Sequence, residues 1–307
     1  MGSGCIAFGT ELRTTGVLKA DFPAMTQQGF KEPMTGETKA APSEKKPTLN
    51  LEHQSTTAKE LLAFGKQIMS GTIHARTVFT QKDYAFFALA DKSLATFEGI
   101  GVLCEHQLVD DGFALIRVLV EGIINAAFVV YSDDQTASDY ANFPYFRDWI
   151  EFKELEAVAP EITNSRPRSE VDEMRCNYEK VESRYRGHKA DWCDQNLFKR
   201  ASTIDAAVGH GYNVMRTLVN LPWRKASTYV HGTAAAIEAR VHHDDSGAVI
   251  HRKYDPKEAG GVLFMANMAV FSLLVIVDLR LGKNNEKQWR SLYERWGGDE
   301  PAKRGEF

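Results

Sequence analysis

Four cysteines in 307 residues, Cys5, Cys104, Cys176 and Cys193, are too few and too scattered for a disulfide framework, and no two form a C-x-x-C pair. They read as reduced thiols. The chain also lacks a phosphate-binding P-loop, a dinucleotide glycine fingerprint, H-E-x-x-H and G-x-S-x-G, which argues against NTPases, Rossmann oxidoreductases, zincin peptidases and α/β-hydrolases. A strong charge of either sign is missing too. With 37 Lys plus Arg against 41 Asp plus Glu the formal charge is -4, so nothing suggests a protein that coats DNA. No charged n-region leads into an apolar stretch with a small-residue cleavage site, so no signal peptide is read. What remains, 43% hydrophobic and 25% charged residues, is ordinary soluble-globular composition, for which a cytoplasmic location is the expectation.

The first fifty or so residues are rich in Gly, Thr, Pro and Lys and carry no sustained apolar period, so residues 1–54 are expected to form a flexible tail. Their start, Met1-Gly2-Ser3-Gly4-Cys5-Ile6, approaches a myristoylation signal, but Ile6 stands where Ser or Thr is needed. Residues 55–296 are expected to form one all-helical domain, a multi-helix bundle, and 297–307 a polar C-terminal tail. Thr57-x-x-Glu60 reads as a capping box opening the first helix. Apolar residues at helical spacing predict further helices over about 81–106, 110–131, 136–158, 169–186, 202–221, 222–241, 255–281 and 286–296. Strand alternation is nearly absent, apart from a short ribbon expected around Gly247 to His251.

Residues 259–277 contain no charge and are long enough to be a membrane span. Gly260, Gly261, Asn267 and Ser272 within the stretch, and Glu258, Asp278 and Arg280 close outside it, favour a central helix buried on all sides. A membrane-associated helical protein is the third functional reading, behind the two given below.

Two constellations carry chemistry. Arg117 and Glu121 lie four apart on one face of an apolar helix, where opposite charges must pair to be tolerated. They form either a buried structural pair or an anion-facing arginine held by its carboxylate. Downstream, Pro222-Trp223-Arg224-Lys225-Ala226-Ser227-Thr228-Tyr229-Val230-His231-Gly232 opens with a proline suited to a first helical position. On one helix, Arg224, Ser227, His231 and Glu238 would share a stripe, with Arg224 and His231 about two turns, roughly 10 Å, apart. A phosphodiester fits that gap, although side chains lean toward the helix N-terminus and carry Arg224 away from His231. The alternative is a histidine hydrogen-bonded at a helix crossing. His242-His243-Asp244-Asp245 and His251 offer metal-capable groups without a recognised zinc spacing, so no metal or other cofactor is expected.

An apolar helix with R-x-x-x-E, followed far downstream by S-x-x-x-H-G, resembles the bacterial helical family known as domain of unknown function fifty-six seventy-seven. The matching residues are Arg117 and Glu121, then Ser227, Tyr229, Val230, His231 and Gly232, over roughly residues 61–281. Trp223 stands where the family pattern leads one to expect a tyrosine. The layout is similar to the HEPN superfamily, whose nucleases use an arginine and a histidine separated by four to six residues; Arg224 and His231 are separated by six. The resemblance implies metal-independent RNA cleavage in stress or phage defence, with His231 as acid/base and Arg224 binding phosphate. Ser227, Tyr229 and Glu238 would support or tune the histidine, and Arg117 with Glu121 would support the pocket from another helix. It also implies RNA as partner and a homodimer as assembly. The rival reading is a non-catalytic interaction or ligand-sensing bundle in which the same polar groups satisfy one another.

Overall fold

The computed structural model describes residues 50–73, 80–185, 191–209, 213–232, 241–243, 249–251, 255–282 and 285–296. Glu238, His210 and the two expected tail segments, apart from residues 50–54, lie outside the described residues. Helix α1 (Leu51–Ile73) begins ahead of the expected start at Ser55 because Asn50 caps it, its Oδ1 accepting the His53 N–H at 3.1 Å. Thr57 lies inside the helix, where its hydroxyl donates to the His53 carbonyl at 3.1 Å instead of capping. The capping box belongs to α2 (Gln81–Glu105), in which Thr80 Oγ1 accepts the Asp83 N–H at 3.1 Å and Asp83 Oδ2 accepts the Thr80 N–H at 3.2 Å.

Then follow α3 (Val109–Tyr131), α4 (Asp134–Val158), the short α5 (Pro160–Asn164) and the charged α6 (Arg168–Tyr185). The helix expected over 202–221 is broken in two. Gly209, at φ 125°, ends α7 (Leu197–Val208), and a new segment starts as α8 (Val214–Leu218), passes through a π-helical turn (Val219–Trp223) and continues as α9 (Arg224–Val230). The helix expected to reach Val241 stops at Val230, because Gly232 takes the left-handed φ of 55° that terminates helices. Val241 belongs to β1 (Val241–His243), which pairs antiparallel with β2 (Val249–His251), Val241 opposite His251. Helices α10 (Pro256–Leu281) and α11 (Glu286–Trp296) complete the described elements.

The fold is an all-α bundle centred on α3 and α10. The long faces of α2 and α3 lie together, closely enough that a Cβ at Gly122 would come within 2.9 Å of Ser93 Oγ. Helix α10 is flanked by α1, α2 and α3; α7, the π turn and α9 cover another side of α3; α4 and α6 form a hairpin. Both α3 and α10 are long and apolar enough to cross a membrane. In α10 the most apolar window is 89% buried, against protein on every flank, and Asn267 in its middle donates to the Gln54 carbonyl at 3.0 Å and to Gln54 Oε1 at 2.9 Å.

Two consequences are testable. Burial, then the charge of Glu105, push the Cys104 thiol up to about 12, while Cys176 stands exposed on α6. Iodoacetamide is therefore expected to label Cys176 in the native protein and to spare Cys104 until denaturant is added, read by peptide mass spectrometry. Equal labelling of both would contradict the packing around α2. The second concerns Asp83, whose Oδ1 accepts Arg280 Nε from α10 at 2.8 Å. Burial drives this carboxyl upward, but Thr80 and Arg280 outweigh it and hold it below the ordinary carboxylate value. A depressed folded pKa contributes stability that is present above the unfolded pKa and lost as pH falls through the folded one. The melting-temperature gap between wild type and Asp83→Asn should thus be open at neutral pH and close below roughly pH 4. A gap that stays constant with pH would show that Asp83 acts by shape and not by charge.

Candidate functional site

One stripe of α3, four residues per step, supplies the framework. Phe113, Arg117, Glu121 and Asn125 recur at the spacing that keeps side chains on one helical face, while Ile116, Leu119, Val120 and Ile123 beside them are fully buried. Each member of the stripe meets side chains from the second half of the chain. The Phe113 ring stacks on Tyr229 with centroids 4.1 Å apart, and the Lys225 ammonium lies 5.4 Å from its centroid. The side chain of Asn125 accepts a hydrogen bond from Arg200 of α7.

Arg117 and Glu121 are the centre. Arg117 Nε donates to Glu121 Oε1 at 3.1 Å, and the guanidinium lies 5.3 Å from the centre of the Trp223 indole. Trp223 Nε1 donates to the same Glu121 oxygen at 2.8 Å. The residue that departs from the expected tyrosine therefore brings its own N–H donor, aimed by the π-helical turn that ends at Trp223. Such one-turn widenings recur at functional positions. The ion pair is partly buried, with side-chain exposures of 28% and 40%.

Arg117 Nη1 stands 2.9 Å from His231 Nε2. A guanidinium has donors only, so Nε2 is the acceptor and a neutral His231 carries its proton on Nδ1. His231 is the C-cap of α9, its backbone N–H donating to the Ser227 carbonyl at 3.1 Å, and its ring is exposed. Arg224, two turns earlier at the start of α9, points into solvent with Lys225 beside it. The arginine that touches His231 thus comes from α3, far away in sequence. Ser227 Oγ is committed to the Trp223 carbonyl at 2.9 Å. Glu238 lies outside the described residues.

Sequence reasoning missed the supports of this cluster. Asp205 on α7 is buried and accepts the Met215 and Arg216 backbone N–H groups at 3.0 and 3.1 Å. Burial pushes its carboxyl above the ordinary value against the lowering effect of those donors. Arg200, also buried, donates to Asp191, Asn125 and the Gln195 carbonyl, and lies 5.5 Å from the Trp192 ring centre. The available signal was a charged residue within the apolar stripe of a helix, Arg200 four residues before Ile204 and Asp205 four after Ala201. A cavity of about 520 Å³ opens elsewhere, between the starts of α1 and α10, and none of the predicted site residues lines it. Among the described residues no group of three His, Cys, Asp or Glu could hold a metal ion.

A family model for DUF5677, a family of unknown function, matches residues 83–248 and so spans α2 to the end of the residues before β2, with every residue of the cluster inside it. The chain belongs to DUF5677. The match is narrower than the 61–281 suggested by the motifs: the DUF5677 unit stops before α10, which in this chain fills the centre of the bundle. No curated protein and no solved structure is similar enough to count as a match.

Proposed function

We propose that this DUF5677 protein is an RNA-cleaving effector of HEPN-like type, with His231 and Arg117 at its centre. The observation that carries the reading is the exposed 2.9 Å contact between Arg117 Nη1 and His231 Nε2, backed by Glu121 and Trp223. An imidazole nitrogen able to accept a proton and a guanidinium able to bridge phosphate oxygens stand side by side at the surface. When the guanidinium turns its donors to a phosphate, Nε2 is freed. It then takes the proton of a ribose 2′-hydroxyl, whose oxygen bonds to phosphorus while the 5′ oxygen leaves with a proton from solvent. Arg117 stabilises the charge that builds on the phosphorane. The nucleophile belongs to the substrate, so the scheme needs no metal-bound water. Arg224 and Lys225 serve as outer phosphate contacts. A formal charge of -4 does not oppose this, since residues 134–185, the α4 to α6 hairpin, hold twelve Asp and Glu against seven Lys and Arg and account for the excess.

The second reading, a non-catalytic interaction or ligand-sensing module, is favoured by one feature: Glu121 Oε1 takes donors from both Arg117 and Trp223, so the polar groups satisfy one another. Incubating purified protein with a mixed RNA pool and EDTA separates the two. Cleavage by wild type that disappears in His231→Ala supports the effector; no cleavage, or equal cleavage by both, leaves the binding module.

A further inference from the structure

Asp205 is 2% exposed and reaches from α7 to the first turn of α8. Oδ1 accepts the Met215 backbone N–H at 3.0 Å, and Oδ2 accepts both the Arg216 backbone N–H at 3.1 Å and Arg216 Nε at 3.0 Å. The first amides of a helix have no partner within it, and burial without one is costly. Asn213, the local residue at the cap position, makes no capping bond; its Oδ1 accepts from Arg216 Nη2. The helix start is therefore capped from the preceding helix, and Arg216 ties Asp205 to Asn213.

From that cap the chain runs helically without a break through α8, the π turn and α9 to His231. Seventeen residues at ~1.5 Å each make a rod roughly 25 Å long. Trp223 and His231 both ride on it, and the π turn in its middle, with Pro222 inside, is where its register is least constrained by ordinary i to i−4 bonds. Helix α7 is itself fixed to α3 by Arg200 and Asn125. A circuit closes: α3 holds α7, α7 holds the start of the rod, and the rod returns Trp223 and His231 to Glu121 and Arg117 on α3.

We infer that Asp205 and Arg216 are positioning residues for His231, setting the rotation and axial place of the rod so that the ring meets Arg117. The geometric claim is independent of chemistry; its effect on turnover rests on the ribonuclease reading.

Histidine labelled with ¹⁵N provides the test, with the His231 resonances assigned by their absence in His231→Ala. Wild type should show the tautomer with Nε2 accepting and the proton on Nδ1. Arg216→Met and Asp205→Asn should lose that preference and show mixed tautomers, while circular dichroism and the protection of Cys104 stay as in wild type. Turnover of RNA should fall by about 10²-fold, the cost of misplacing a reacting group by an ångström, with binding of an uncleavable 2′-deoxy analogue unchanged. If Asp205→Asn fails to fold, Arg216→Met, whose side chain is 43% exposed, carries the test. His231 signals identical to wild type in a folded Arg216→Met protein would overturn the inference. A wild type that does not cleave RNA would overturn the ribonuclease reading alone, and the tautomer measurement would still decide the positioning role.

Discussion

On the proposed ribonuclease reading, replacing His231 with alanine is expected to lower the rate of RNA cleavage by about 10²–10⁴-fold, the range contributed by one positioned acid–base group. Arg117→Ala should cost about 10²–10³-fold, as for the loss of one preorganised donor to a transition-state oxyanion. The two losses should not add, since Arg117 and His231 form one unit, 2.9 Å apart. Arg117→Lys should rescue little: an ammonium cannot keep Glu121 through one nitrogen and reach His231 or a phosphate with another. Arg224→Ala should act differently, weakening RNA binding and reducing the magnitude of its salt slope by about one, while maximal turnover stays near wild type. An Arg224→Ala protein as inactive as His231→Ala, beside a fully active Arg117→Ala, would move the catalytic cation from α3 to α9. Initial rates on a short RNA at several salt concentrations distinguish the cases.

The second large effect is on stability. Leu119→Ala should destabilise the fold by about 2–5 kcal/mol, because the side chain is fully buried and the surrounding helices refill its space only in part. Val118→Ala, one residue earlier and 45% exposed, should stay within about 0.5 kcal/mol. Urea midpoints of the two variants compare them directly, provided the slopes agree. The contrast tests more than packing. The rotation of α3 that buries Leu119 is the rotation that carries Arg117 and Glu121 to the surface beside α9, so equal losses from both substitutions would remove the basis of the site.

Much of this was legible in the residues. Apolar spacing is a local property, so the helices α2, α3, α4, α6, α10 and α11 lie within a few residues of their expected places. The ends that differed depend on single residues. Asn50 captured the start of α1, and Gly209 and Gly232 stopped helices whose apolar period ran on beyond them. The pairing of Arg117 with Glu121 needed only the four-residue step and was readable without a fold. Their meeting with Trp223 and His231 was not, because 114 positions separate Arg117 from His231 and no local rule constrains such a distance.

The sequence by itself determined the all-helical class, the family through its motif residues, and the chemistry available in the cluster: one guanidinium, one carboxylate and one imidazole on two helices. Only the tertiary structure decided which arginine meets His231. Along α9 the side chains lean toward the N-terminus, which carries Arg224 away from the histidine, while the packing of the rod on α3 brings Arg117 to 2.9 Å. That choice is made by buried groups with no catalytic chemistry of their own, Asp205 capping the rod and Arg200 holding α7 to α3. Desolvation is the physical reason. A buried amide or guanidinium without a partner is costly, so the backbone settles where those partners exist, and the exposed site follows from that placement.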